Sequence, residues 1–146
     1  MSWTSQLLDG LAQHLHDRGL GVYRPNGVYL PGDIAIVVGT LPPTPDRVIC
    51  LTSYNVSRPG GLATAAVMVQ IRVRGPAGDS RSADAIGDPV CEELDDARDL
   101  VLGGIPVTQI LHASGPAPIG TDALGRPERT DNHQVWAERP TAAYPD

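Results

Sequence analysis

The chain has 146 residues, 41% of them hydrophobic, and carries a net charge of −6 with no basic block. This length is typical of one domain with a single core, and the charge argues against sequence-specific duplex binding, which relies on clustered Lys or Arg. No apolar run is long enough to span a membrane and the N-terminus lacks a signal-peptide pattern, so we expect a soluble intracellular protein, or one that is assembled there.

Composition also bounds the core and the loops. Phe is absent and aromatic residues make up 4%, so the core must be aliphatic, while 16 Gly and 14 Pro predict long loops in a small body. The two cysteines, Cys50 and Cys91, stand far apart in apolar surroundings. This usage predicts two buried free thiols in a reducing compartment.

The first predicted element is a helix over Ser5–Arg18. Its apolar residues recur at helical spacing and make one stripe that can cover a sheet. Thr4 or Ser5 can cap its start, and Gly19 stands where a left-handed residue ends a helix. The stripe consists of Leu7, Leu8, Leu11, Ala12 and Leu15.

Four extended segments follow the helix. Val22 and Tyr23 form a short extended piece, and the apolar run Ile34–Val38 predicts a buried strand. Arg47–Tyr54 is apolar on both faces over much of its length, so we expect it near the centre of a sheet. An exposed loop over 55–61 joins it to a strand over Thr64–Arg74, and a connection this short makes the two strands antiparallel.

The strand Thr64–Arg74 has the clearest pattern in the chain. Side chains on a strand switch face at every residue, so its alternation predicts one apolar face and one polar face. Stiff β-branched residues dominate the apolar face, as suits a pleated sheet. The apolar face carries Val67, Val69, Ile71 and Val73, and the polar face carries Met68, Gln70, Arg72 and Arg74.

A second helical region is predicted over Ser82–Leu102. Pro89 either divides it or starts its main part, with Asp88 as the cap. Gly103-Gly104 is expected to end the helix. Its apolar stripe would again pack on the sheet and comprises Val90, Leu94, Ala97 and Val101.

The last predicted elements are two strands, Val107–Ala113 and His133–Glu138, joined by a long loop over Ser114–Asn132. A connection of that length usually has a function or is disordered. Two helices over one sheet make a two-layer α+β domain, mostly antiparallel, with both helices on one face. We assign this domain to residues 1–138 and a flexible tail to residues 139–146.

No arrangement of residues points to catalysis, so we expect no enzyme activity, no metal and no cofactor. His112 and His133 could meet across the last strand pair, where a metal site or proton relay is conceivable, but an ordinary cross-strand polar pair is favoured. The acidic residues between 92 and 99 spread around the predicted helix and are expected to be solvated. Cys50, inside an apolar strand, should be a poor nucleophile.

The segment Gly120–Val135 carries the most informative motif, Gly-x-Asp-x-x-Gly-Arg followed by Glu-Arg-Thr-Asp-Asn and a closing strand. It resembles the tail terminator family of long-tailed bacteriophages, also described as minor tail or minor capsid proteins, especially in phages of actinobacteria. The Leu-rich helix, the Ile-Cys-Leu-Thr-Ser-Tyr strand, the strand ending at Arg74 and the second helix follow in the same order. The departures are Gly87 and Pro89 within the second helix, and His133, where an aromatic residue is expected.

The resemblance implies a structural virion protein that forms a hexameric ring at the head-proximal end of the tail tube. Such a ring stops tube polymerisation and offers its other face to the head completion or stopper protein. It also implies a place in the neck region of the virion tail after assembly in the host cytoplasm. DNA would pass through the lumen without sequence-specific binding, and no membrane would be involved.

Charged residues of the predicted long loop are the candidates for contacts with a neighbouring subunit or with the tube. Surface ion pairs contribute only about 0–1 kcal/mol, so these residues would set register more than affinity, and simple solvation is the alternative. Arg72 and Arg74, on the polar sheet face, could contact a neighbour, line the lumen or be solvated. The loop candidates are Asp122, Arg126, Glu128, Arg129, Asp131 and Asn132.

Two other functions stay open from the sequence. Another head–tail connector, such as a stopper or neck protein, fits the same features. The alternative from a different class is a small ligand-binding domain or an enzyme that uses the region of His112 and His133. That alternative requires a deep pocket lined by converging polar groups.

Overall fold

The computed structural model describes residues 1–58 and 63–141, which form two helices and one seven-stranded sheet. The helices are α1 (Trp3–Asp17) and α2 (Ser82–Leu94). The strands are β1 (Val22–Tyr23), β2 (Ile34–Val38), β3 (Arg47–Ser57), β4 (Thr64–Arg74), β5 (Ala97–Leu102), β6 (Ile105–Thr121) and β7 (Pro127–Glu138).

The strands are ordered β1-β2-β3-β4-β7-β6-β5 across the sheet. The neighbours β1, β2 and β3 are parallel, and the remaining pairs are antiparallel. Core residues of both helices share one cluster with a single face of the sheet. The predicted two-layer, mostly antiparallel α+β class is therefore confirmed.

β4 lies in the middle of the sheet, between β3 and β7. The side chains of its predicted apolar face are at most 1% exposed and belong to the core beneath both helices. Burying each of these four aliphatic side chains contributes roughly 1.5–3 kcal/mol before conformational entropy is subtracted. The predicted strand, its bounds and its antiparallel pairing with β3 are confirmed.

Helix α1 presents the predicted apolar stripe to the sheet, since all five of its residues are buried. It begins at Trp3, two residues before the predicted start, because the Ser2 hydroxyl oxygen accepts the backbone N–H of Ser5 at 3.1 Å and caps the helix. Gly19 has φ +77°, as predicted for the left-handed residue after a helix.

Helix α2 was predicted to reach Leu102, which is wrong, because it ends at Leu94. Asp96 and Asp99 have φ of +59° and +54°, values that a right-handed helix excludes. The residues after Asp96 instead form β5, which pairs with the start of β6. Gly103-Gly104, predicted to end the helix, makes the two-residue hairpin turn between these strands, with positive φ at both positions.

Pro89 neither divides α2 nor starts it, because it lies inside a continuous helix that begins at Ser82. Proline has no N–H, so one intrahelical hydrogen bond is missing at this point. The residue before the helix is Arg81, which makes no side-chain cap. Asp88 is therefore not a cap, and its carboxylate binds Arg129 of β7.

The predicted long loop over Ser114–Asn132 is wrong as well, since it is an extended β-hairpin. β6 continues to Thr121 and β7 starts at Pro127, which leaves a turn over 122–126. The Asp122 Oδ1 atom holds this turn by accepting the N–H groups of Leu124 at 3.0 Å and Arg126 at 2.9 Å. The early part of β7 carries charged residues on its helix-facing side, so the apolar alternation that marks a half-buried strand is absent there.

The ends of two other predicted segments differ from expectation. Residues 55–57, expected in an exposed loop, extend β3, whereas 59–62 lie outside the described residues. Of the predicted tail 139–146, residues 142–146 also lie outside them. Arg139, at its start, is held by its N–H bond to the Ala63 carbonyl oxygen and by its guanidinium 4.7 Å from the Trp3 ring centroid. Neither α1 nor α2 is long and apolar enough to cross a membrane.

Candidate functional site

Arg74, predicted on a polar sheet face available to partners, is occupied inside the protein. Its side chain is buried and donates to the carbonyl oxygens of Pro42, Pro45 and Asp46 at 2.8, 2.7 and 2.9 Å. Burial lowers the pKa of this guanidinium from its ordinary value. Arg74 thus fixes the proline-rich segment 41–46 to the end of β4.

Arg72 and Asn132 lie on the sheet face opposite the helices and stay partly exposed. The Arg72 Nε atom donates to Glu128 Oε1 at 2.9 Å. The Asn132 side chain accepts the Tyr54 hydroxyl at 2.7 Å and donates to Ser114 Oγ at 3.0 Å. Both side chains keep surface that a partner could contact, and their assignment to an interface stays a prediction.

Arg126 locks the turn of the hairpin onto segment 41–46. Its Nε atom donates to Asp122 Oδ2 at 2.7 Å, and its Nη1 atom donates to the Pro43 carbonyl oxygen at 2.8 Å and to Asp46 Oδ1 at 3.2 Å. Hydrogen bonds from the backbone and side chain of Arg126 lower the pKa of Asp122. Hydrogen bonds within the chain therefore fix this turn on the surface.

Arg129 ties the hairpin to α2. It is 2% exposed; its Nε atom donates to Asp131 Oδ2 at 3.0 Å, and its Nη1 atom donates to Asp84 at 2.9 Å and Asp88 at 2.7 Å. Gly87 makes this approach possible, because a Cβ atom there would lie 2.4 Å from Arg129 Nε. Gly87, which departs from the pattern of the family that the sequence resembles, thus packs directly against Arg129.

His112 and His133 do meet across the last strand pair, as predicted. They are register partners, and their rings pack edge to face with centroids 5.2 Å apart. His112 Nε2 lies 3.2 Å from Asp131 Oδ1. His133 is 1% exposed, and burial, together with the neighbouring His112, lowers its pKa to about 4. It is therefore neutral at physiological pH.

The two cysteines differ in their surroundings. Cys50 is buried among the small apolar cluster on the sheet face away from the helices, and burial raises its pKa. Cys91 is only partly buried, which corrects the expectation of two buried thiols, and it faces Arg129 and Asp131 from α2. Burial and the Asp131 carboxylate raise its pKa to about 11. Neither thiol is activated as a nucleophile.

Most of the charged residues proposed for intersubunit contacts are thus internal. Besides Arg74, four of them, all in the hairpin, are buried, with exposures between 1% and 7%, and pair within the chain. In this position they shape and fix the hairpin, and a neighbouring subunit would reach them only at their edges. These four residues are Arg126, Glu128, Arg129 and Asp131.

The hairpin instead exposes apolar side chains that the sequence interpretation did not single out. Ile119, near the end of β6, is 46% exposed and Leu124, in the turn, is 68% exposed. A second exposed pair, Val28 and Leu30, lies in the loop before β2. An apolar residue within a Gly-, Pro- and Asp-rich turn was the signal in the sequence, because such turns are usually polar throughout.

Comparison with known proteins places the chain in a family. A search of the curated proteins gave no match. The model of the family described as bacteriophage tail terminator protein matches residues 14–139, which include the C-terminal end of α1, all of α2, all seven strands and the hairpin. Because this match extends over most of the sequence, the chain belongs to the bacteriophage tail terminator family, a family of structural proteins of the phage tail.

Proposed function

We propose that this protein forms a hexameric ring on the head-proximal end of the phage tail tube, where it stops tube polymerisation and joins the tail to the head completion or stopper protein. The observation that carries this proposal beyond family membership is the hairpin at 118–127. It presents two exposed apolar side chains, Ile119 near the end of β6 and Leu124 in the turn that the buried Arg126 fixes. A rigid apolar projection favours binding because little conformational entropy is lost on contact.

A closed ring needs two different patches on each subunit, so that one copy can bind the next. The hairpin tip with Ile119 and Leu124 supplies the first patch. The loop over 24–33, with Val28 and Leu30 exposed, supplies the second. We assign the contact between neighbouring subunits to these two surfaces, with the partly exposed Arg72 and Asn132 as polar contacts to a subunit or the tube.

Side chains rather than strand pairing would mediate this contact. β5 covers β6 only as far as Ile110, and residues 114–121 of β6 are all exposed. Pro116 and Pro118 in this stretch have no N–H to donate, which disfavours addition of a further strand. Such an edge resists strand-to-strand addition of further copies, which is one route to open-ended polymerisation.

The charge of the protein is compatible with a ring around a DNA passage. A net charge of −6 disfavours trapping of phosphates in the lumen. The ring would take its place in the neck of the virion, after assembly in the host cytoplasm. Its partners would be copies of itself, the tail tube protein on one face and the head completion or stopper protein on the other.

Leu124→Asp should impair ring formation without impairing folding. Leu124 packs little against its own chain, and an apolar anchor at an interface is worth about 2 kcal/mol, or roughly a 30-fold change in association. Native mass spectrometry of the purified protein, alone and with tail tubes, would measure the loss of hexamers. Electron microscopy of phage complemented with the variant would measure the expected overlong tails.

Val101→Asp is the matched control, since Val101 is 69% exposed but lies on β5, away from the hairpin. Circular dichroism should show that both variants are folded. Hexamers and normal tail lengths with Leu124→Asp would remove the hairpin tip from the proposed interface. A wild-type protein that stays monomeric on tail tubes would refute the ring itself.

A further inference from the structure

We propose that Cys91, His112 and Asp131 bind one divalent transition-metal ion of the zinc class. Their ligand atoms, a thiol sulfur, an imidazole nitrogen and a carboxylate oxygen, all lie within 4.8 Å of one another. The three residues come from three elements, α2, β6 and β7, so the ion would join the second helix to the base of the hairpin. This site is independent of ring formation and of the tail tube.

The spacing fits a tetrahedral ion. Zinc bonds of about 2.0 Å to nitrogen or oxygen and about 2.3 Å to sulfur place neighbouring ligand atoms about 3.3–3.7 Å apart. His112 Nε2 and Asp131 Oδ1 are already 3.2 Å apart. The Cys91 sulfur lies within 4.8 Å of both atoms, so a movement of its partly buried side chain by roughly 1 Å would complete this spacing.

The set of donors selects the class of metal. A thiolate with an imidazole favours zinc and similar soft or borderline ions, whereas magnesium and calcium prefer sites made of oxygen atoms alone. A cavity of about 220 Å³ opens beside the three residues, with Glu92 and Asp95 in its lining. It leaves room for water or a carboxylate at the fourth position.

Arg129 fits the role of a supporting residue at such a site. Its Nε atom binds Asp131 Oδ2, which leaves Oδ1 for the ion, and its Nη2 atom lies 3.6 Å from Cys91 Sγ. A hydrogen bond from this guanidinium would stabilise the thiolate form of Cys91. Asp84 and Asp88 bind the same guanidinium and offset its positive charge.

A further feature of this region is His133, a buried histidine beside His112 that lacks a hydrogen-bond partner within the part of the chain that the structure describes. His133 lies directly across from His112 and is 1% exposed, yet neither of its ring nitrogens has a hydrogen-bond partner among the described residues. Buried polar groups without partners are rare, because each costs free energy. His133, whose ring centroid lies 5.2 Å from that of His112, is thus a buried histidine beside one ligand of the site that no side chain or backbone group of the described residues satisfies.

The experiment is a titration of the metal-stripped protein with Co²⁺ alone, followed by Zn²⁺. We expect one equivalent of Co²⁺ to bind with a thiolate-to-cobalt charge-transfer band in the near ultraviolet, and one equivalent of Zn²⁺ to abolish the band. Cys91→Ser should remove the band and weaken binding by about 30-fold or more. Cys50→Ser and His14→Gln are the matched controls and should retain both the charge-transfer band and the affinity for Co²⁺.

His112→Gln provides a second test that does not depend on the folding of the cysteine variant. His112 is partly exposed, so its replacement should leave the fold intact, and it should weaken Co²⁺ binding to a similar extent. Zn²⁺ should raise the Tm of the wild type but not of His112→Gln. Absence of the thiolate band from the wild type, or its persistence in Cys91→Ser, would overturn the proposal and leave the proposed ring unaffected.

Discussion

Arg129→Ala is expected to lower the free energy of unfolding by about 3–5 kcal/mol, because it leaves a buried carboxylate without its cation. Asp131 is 1% exposed, and Arg129 Nε lies 3.0 Å from its Oδ2 atom. The same substitution releases Asp84 and Asp88 of α2, so the contact between the helix and β7 weakens as well. Urea unfolding at neutral pH, followed by circular dichroism, would measure the change.

Arg98→Ala is the matched control for this prediction. Arg98 pairs with Asp96, but both side chains are more than half exposed, so the loss should stay within about 0.5 kcal/mol. Asp131→Asn in the Arg129→Ala background should recover part of the loss, since it removes the unpaired charge. Equal losses in Arg129→Ala and Arg98→Ala would show that burial does not set the strength of the pair.

The parts of the fold that the sequence predicted are those whose burial depends on apolar side chains. β4 alternates between buried aliphatic residues and partly exposed residues from Val67 to Val73, and the stripe of α1 repeats with helical spacing. Both patterns are local and were interpreted correctly. The end of α2 was predicted wrongly. Ala97 and Val101 continue the helical spacing of apolar residues, but these residues form β5 because β5 pairs with β6.

The hairpin could not be predicted for a related reason. The helix-facing positions of β7 that lie opposite Val73 and Ile71 of β4 hold Arg129 and Asp131. In the sequence such residues indicate a solvated loop, because a charge is buried only when a partner is present. The partners Asp84 and Asp88 lie more than 40 residues away and are brought there by the packing of α2 on the sheet.

The site was partly predictable for the same reason. The meeting of His112 and His133 followed from the pairing of two neighbouring strands, which the sequence indicated. Cys91 could not be added to them, because its direction depends on how α2 lies on the sheet. The charges of the hairpin were predicted to contact a neighbouring subunit or the tube, with solvation as the alternative. The sequence could not show that partners within the same chain hold most of them.

Gly87→Ala is expected to lower the free energy of unfolding by about 2–3 kcal/mol. Helix propensity alone predicts the opposite sign, a gain of about 1 kcal/mol, because Ala favours a helix over Gly. The added Cβ atom would lie 2.4 Å from Arg129 Nε and 2.6 Å from its Cζ atom. Three carboxylates hold the guanidinium, so either its ion pairs break or α2 moves away from the sheet.

Two further variants separate the close approach from other effects. Ala85→Gly, at an exposed position of the same helix, should lose only about 1 kcal/mol and so calibrates helix propensity. In the Arg129→Ala background the guanidinium is absent, so adding Gly87→Ala should cost nothing more. Urea unfolding of the wild type, Gly87→Ala, Arg129→Ala and the double variant measures the coupling free energy between the two positions. Additive losses in the free energy of unfolding, or a Gly87→Ala protein more stable than the wild type, would contradict the conclusion that Gly87 is needed for the close approach of Arg129.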